Sequence, residues 1–375
     1  MNNTLLKDSP FRTGNVKFRR IFIIFSWSLL LLVIWFLSQK RTPVEYQQEL
    51  MTAAERMQQA TEEVRQLRRE LEIPVNKMLD PNETGWIGKE YTPLTTTLGN
   101  LEAKLTSLNP DFAALILRWL LEMGAAPGDT VALQLSGSFP SLNIASIIAC
   151  ETGRFYPLIS SSVCASSFGA NISEFTYPDI ENRLFRAGII RHRSSRVTCG
   201  GEEDRGISLR ENGMVMIEEA VCRNGYTLNM PPAKDESIIQ KWKFFKEGKN
   251  IRAFINVGGN QTSLGYCPHS SSLPTGLITD FQACQHSGRG LIMLFLENQI
   301  PVIHLLDIRS LALQQEMPIA PSPLPRPGNS MVYFTTDSSN ATKVILIILL
   351  VLSWLFLLPD QRRPFSFKTT STRIS

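Results

Sequence analysis

Two uninterrupted apolar runs bracket the chain: residues 21–37 read IFIIFSWSLLLLVIWFL, and residues 344–358 read VILIILLVLSWLFLL. The first interrupts its hydrocarbon only with two serines, whose hydroxyls can bond back to helix carbonyls. The second lies between Lys343 and Pro359. A bilayer core takes roughly 20 helical residues, with about 17 near the lower limit, so both runs are expected to span a membrane. The shorter second run has a soluble alternative, a buried helix or strand pair. The first run leaves through Trp35-Phe36-Leu37-Ser38-Gln39-Lys40, with no small-x-small cleavage pattern, and is expected to stay as an anchor.

A different period follows. Tyr46, Leu50, Ala53, Met57, Ala60, Val64, Leu67 and Leu71 alternate spacings of four and three, flanked by charged positions. A sustained period of 3.5 predicts a helix over 44–72 with a narrow apolar seam. Two arrangements fit that seam: a stalk that self-associates through residues 46–71, or a helix laid on its own globular domain. Glu72-Ile73-Pro74 ends the helix, and Asp80-Pro81-Asn82-Glu83-Thr84-Gly85 reads as a turn-rich linker. Beyond it, helical stretches near 112–123, 141–150, 180–187, 214–223 and 291–297 alternate with short apolar strands at 131–135, 156–159, 253–257 and 302–306. A last strand is expected at 331–335. This alternation predicts an α/β domain over 86–336, built on a mainly parallel sheet with helices on both faces.

Charge fixes the expected orientation. Residues 1–20 carry five Lys/Arg against one Asp, and residues 359–375 carry four against one, whereas 38–343 carries 29 against 32 Asp/Glu. Basic tails beside both runs place both termini in the cytoplasm of a plasma (inner) membrane protein with two spans, and the main domain outside. The bulk of the chain is therefore slightly acidic, which argues against a nucleic-acid partner. With 375 residues, 43% of them hydrophobic, it is too large for a disulfide scaffold and too apolar for wholesale disorder.

In open parallel sheets, ligands sit beyond the carboxyl ends of the strands. Those ends here read Ser136-Gly137-Ser138, Ser160-Ser161-Ser162, Gly258-Gly259-Asn260-Gln261-Thr262 and Asp307. Hydroxyls, amides and backbone N–H groups of that kind suit a carboxylate or phosphate, although turns and helix caps use the same residues for themselves. Gly258-Gly259 is followed by no Gly-Lys-Ser/Thr and lacks dinucleotide spacing, and no cofactor is expected. Serine hydrolysis would need Ser136 or Ser138 together with His304 and Asp307, without a Gly-x-Ser-x-Gly elbow. All six cysteines lie between the apolar runs, where disulfides are allowed, and fifteen connectivities are open. Cys267, His269, Cys284 and His286 have zinc-ligand types without the usual knuckle spacing.

Four segments carry a family resemblance: Gly128-Asp129-Thr130-Val131-Ala132, Ser136-Gly137-Ser138-Phe139-Pro140, Phe254-Ile255-Asn256-Val257-Gly258-Gly259-Asn260-Gln261 and Ile300-Pro301-Val302-Ile303-His304-Leu305-Leu306. With the N-terminal anchor, they resemble the bacterial poly-gamma-glutamate system protein family. The resemblance implies a protein that accompanies the membrane machinery making and exporting poly-gamma-glutamate, with the synthase and export subunits as partners. It implies no catalytic residues. A polymer with one free carboxylate per residue would meet a net-negative domain, so contact is expected to be local and geometric rather than a broad electrostatic capture. The rival expectation is an extracytoplasmic hydrolase or transferase acting on gamma-glutamyl or related linkages.

Overall fold

A computed structural model describes residues 11–210, 212–266, 273–280, 288–337 and 340–355. The chain forms two units, one of Met1–Pro43 with Thr335–Ser375 and one of Val44–Phe334.

In the first unit both apolar runs are helical. The first lies in α1 (Phe11–Leu37) and the second in α12 (Asn340–Leu355), with residues 356–358 outside the described ones. The two helices touch, and a short strand, Lys40–Pro43, pairs with Phe334–Asp337. No helix among the described residues is long and apolar enough to cross a membrane.

The second unit is α/β. Its central sheet consists of β1 (Thr130–Ser136), β2 (Tyr156–Ser162), β3 (Arg196–Thr198), β4 (Leu228–Asn229), β5 (Ile251–Val257), β6 (Gly276–Ile278) and β7 (Val302–Leu305). They lie in the order β6-β7-β5-β1-β2-β3-β4, all parallel except β6 against β7. The inner strands are buried on both sides because helices cover both faces, and are mostly apolar. Val131, Leu133, Leu135, Ala253, Ile255, Val257, Ile303 and Leu305 share one core with α2 (Gln47–Glu70), α4 (Asp111–Glu122) and α5 (Pro140–Thr152). Ala132, Leu158, Phe254 and Val302 point the other way, into a second core with α8 (Lys234–Lys246) and α10 (Leu291–Glu297). Phe254 stacks on Phe295 there, with ring centroids 4.1 Å apart.

The heptad helix is part of this unit. Leu50, Ala53, Ala54, Met57, Ala60 and Val64 of α2 are buried in the first core, where the helix meets α4, α5 and α6 (Tyr177–Arg186). Alanines in the seam let α2 sit close to its neighbours. The stalk expectation is thereby corrected, and these residues are spent inside the domain rather than left for self-association through 46–71. The expected linker is also structure. Asp80 is buried, and its Oδ2 accepts from Thr84 Oγ1 at 2.9 Å and from Gly85 N at 2.8 Å. Arg68 of α2 donates to the carbonyls of Gly85 and Ile87, and Trp86 Nε1 reaches Thr61 Oγ1 at 3.1 Å. The expected strand at 331–335 begins as a 3-10 turn, Met331–Tyr333, held where Arg118 donates to the carbonyls of Met331, Val332 and Phe334.

If α2 is core, truncating its seam is expensive. Leu50→Ala is expected to lower unfolding stability by about 2–5 kcal/mol. Urea unfolding of the full chain measures it, and a change near zero would return α2 to the role of a stalk.

Candidate functional site

In-register pairing aligns the carboxyl ends of four strands. Ser136 faces Ser162 across β1 and β2, Ile255 faces Leu133 across β5 and β1, and Val257 faces Leu305 across β5 and β7. The chain runs from β1 outward to β2 on one side and returns to β5 on the other, so the loops after β1 and β5 diverge and leave a crevice. A cavity of about 570 Å³ sits there.

The expected loops divide over it. Ser136, Ser138, Ser162, Gly259, Asn260, Gln261 and Asp307 line the cavity. Gly137 approaches the Val163 carbonyl so closely that a Cβ would lie 2.4 Å from its oxygen, and its N–H donates to Ser162 O at 3.0 Å. Gly258 adopts φ +82° to leave β5, and its N–H donates to Leu305 O at 2.9 Å. Both backbone amides are used by the sheet. Ser160 and Ser161 lie within β2 rather than after it, buried on opposite faces, so neither reaches the cavity. Thr262 is buried behind the wall, its hydroxyl 2.6 Å from Asn260 Oδ1 and 3.2 Å from Lys241 Nζ.

The proposed serine machinery does not assemble. His304 is 1% exposed within β7, with Nδ1 3.0 Å from Asn256 Nδ2, and it is not among the cavity-lining residues. Burial pushes its pKa down to about 4, so the ring is neutral. Asp307 does not orient it; its carboxylate caps α11 (Ile308–Gln314) by accepting from Ser310 N at 3.1 Å. The zinc-type set Cys267, His269, Cys284 and His286 lies outside the described residues. Among the described residues no group of three or more His, Cys, Asp or Glu could hold a metal ion. Cys150, Cys164, Cys199 and Cys222 are free thiols, with Cys199 3.5 Å from Cys164, which lines the cavity. The Cys199 thiol and burial hold Cys164 well above the usual thiol range, which disfavours it as a nucleophile.

The residue that sequence reasoning missed is Lys104. Gly99-Asn100 turns the chain into α3 (Leu101–Thr106), where Asn100 Oδ1 accepts from Ala103 N at 2.9 Å. A Cβ at Gly99 would sit 2.3 Å from the Ser167 carbonyl oxygen, so only glycine allows that approach. The helix turns Lys104 onto the cavity floor, 3% exposed. Its Nζ donates to the Ser138 carbonyl and to Ser166 Oγ at 2.9 Å, and lies 3.7 Å from the centre of the Phe139 ring. Burial alone lowers its pKa to about 7. A lone lysine in a short helix gives no sequence signal. Arg309 and Glu202 also line the cavity and were equally unmarked.

Below the lining, Asp204 and Lys241 form a fully buried ion pair at 2.8 Å, and Asp204 also accepts from Thr198 Oγ1 at 2.9 Å and Ser237 Oγ at 2.5 Å. That network fixes the turn Glu202–Asp204, which supplies one wall.

No family model matches the chain, and neither a curated protein nor a solved structure matches it.

His304 carries a pH signature. Its folded pKa is about 4 against 6.5 for a free imidazole, so below pH 6.5 the unfolded chain binds the proton first. Stability is full above pH 6.5 and is lost as pH falls toward 4, at up to about 1.4 kcal/mol per pH unit from this group. Urea unfolding at pH 7 and pH 4.5 should show a smaller difference in His304→Gln than in the parent chain.

Proposed function

We propose that this chain is an accessory membrane protein of a bacterial poly-gamma-glutamate synthesis and export system. Its α/β unit stands outside the membrane, and the cavity receives γ-glutamyl carboxylates. One observation carries the reading: three of the four segments that resemble the family meet at a single cavity. Ser136-Gly137-Ser138-Phe139-Pro140 supplies Ser136, Ser138 and Phe139, Phe254 to Gln261 ends in Gly259, Asn260 and Gln261, and the third ends at Leu306. The lining suits local recognition of an acid. Two basic side chains, Lys104 and Arg309, stand beside two acidic ones, Glu202 and Asp307, so the cavity offers no large positive field and must select by hydrogen-bond geometry.

Membrane anchoring belongs to the same proposal. In α1, Phe22 is 61% and Phe36 69% exposed, and in α12 Trp354 is 63% exposed. Apolar surface of that extent in water is unfavourable, and lipid would remove the cost. The basic residues at 1–20 and 359–375 support cytoplasmic ends and an outer domain. Reporters fused near residue 80 and at residue 375 are expected to report opposite sides of the membrane; the same side for both would reject the two-span topology. For the cavity, Arg309→Glu is expected to weaken retention of poly-gamma-glutamate by the full chain at least tenfold at low salt. Arg309 is 63% exposed in its side chain, so the unfolding midpoint should be unchanged. Unaltered retention would remove the cavity from the proposal.

A second reading, an enzyme acting on γ-glutamyl linkages, is favoured by one contact. Lys104 Nζ, with its pKa lowered to about 7, lies 2.9 Å from Ser166 Oγ, where a neutral amine can act as a general base toward a serine. This pair replaces Ser136, Ser138 and His304 in that reading. Release of glutamate from γ-glutamyl oligomers that rises through pH 7 and disappears in Ser166→Ala would support it; no release from the parent chain would end it.

A further inference from the structure

We infer that the Lys104 amine on the cavity floor is a carboxylate anchor that takes up a proton as an acidic ligand enters. The natural ligand rests on the γ-glutamyl reading above, whereas the anchor rests on geometry. Lys104 lines a cavity of about 570 Å³ and is nevertheless 3% exposed. Its neighbours are the Ser138 carbonyl, the Ser166 hydroxyl and the face of Phe139. All three are neutral, and neutral acceptors do not offset a full charge taken out of water.

The charged groups around it are engaged elsewhere or stand apart. Glu102, on the same helix, lies 3.3 Å from Arg309 Nε on α11. Asp307 caps α11 through Ser310 N. Glu202 lines the wall from the turn Glu202–Asp204 and makes no ion pair with Lys104 among the described residues. Cys164, in the segment after β2, is held protonated by Cys199 and burial. The first turn of α5 and the strand Ala165–Ser166 bring no charge. The lowered pKa, about 7, has burial as its cause and no opposing carboxylate.

A carboxylate entering the cavity supplies the missing anion and favours the protonated amine. Above pH 7 that proton must come from solvent, so affinity falls as pH rises, approaching tenfold per unit; between pH 6.5 and 8.5 the expected loss is roughly 25-fold. This sign opposes that of a lysine acting as base, whose competence grows over the same interval.

Glutarate, a dicarboxylate of glutamyl length, is a suitable probe, with glutaramide as its uncharged control. Calorimetry on the full chain in lipid nanodiscs at pH 6.5, 7.5 and 8.5 reads the slope. Trace acetylation by acetic anhydride, quantified on the Lys104 peptide by mass spectrometry, reads the amine. The expected result is glutarate binding that weakens roughly 25-fold over this range, protection of Lys104, loss of binding in Lys104→Met, and binding without the pH slope in Lys104→Arg. Binding that strengthens with pH, or glutarate that leaves Lys104 acetylation unchanged, would overturn the inference. The acetylation arm uses the parent chain, so it decides the matter even if Lys104→Met fails to fold. Protection by glutarate with no capture of poly-gamma-glutamate would keep the anchor and reject the polymer; capture of the polymer without protection would do the reverse.

Discussion

The structure depends on the parallel register of four adjacent strands. β7, β5, β1 and β2 are paired so that their carboxyl ends finish at one level, and the sequence after β1, β5 and β2 is rich in glycine, serine or amide side chains, whereas β7 is followed by Leu306 and the helix cap Asp307. A one-residue slip of β1 against its neighbours would exchange its two faces, sending Val131, Leu133 and Leu135 out of the core they share with α2, α4 and α5. The hydrophobic pattern that holds the sheet therefore also holds the cavity.

The same register creates a cost inside the sheet. His304, Asn256, Gln134 and Ser160 are consecutive partners across β7, β5, β1 and β2, all buried on the α8 and α10 side. Next along the row, Arg196 of β3 donates to Gln240 of α8 at 2.6 Å. A polar row on a buried sheet face is tolerated where its members satisfy one another or bind ordered water. Asn256 does part of this, with its amide nitrogen 2.8 Å from Gly258 O and 3.0 Å from His304 Nδ1. His304 thus serves the interior of the sheet rather than chemistry at its edge.

Much of the α/β pattern was legible in the chain because long apolar strands and periodic helices leave clear signals. β1, β5 and β7 lie where alternation and apolarity put them, and the loops after β1 and β5 reach the cavity as expected. Short or charged elements were not legible. β3 and β4 have three and two residues, and α8 reads KDESIIQKWKFFK, whose polar positions mask the buried Ile238 and Phe245. The serine run 160–162 misled because β2 extends through it, a tertiary pairing with β1 and β3 that composition does not reveal. Lys104 was invisible for the opposite reason: its environment is made by Ser138, Phe139 and Ser166, 34 to 62 positions away. The heptad seam of α2 fitted two kinds of partner, and only the facing surfaces of α4 and α5 decide between them.

Val44 N donates to Tyr333 O at 3.2 Å, and the Tyr333 hydroxyl donates a hydrogen bond to the buried Asp111 carboxylate. The α/β unit is consequently entered and left at one seam, as an insertion looped out between two apolar segments. Tension applied to those segments would meet the paired strands Lys40–Pro43 and Phe334–Asp337 and then this clasp before it reached the sheet.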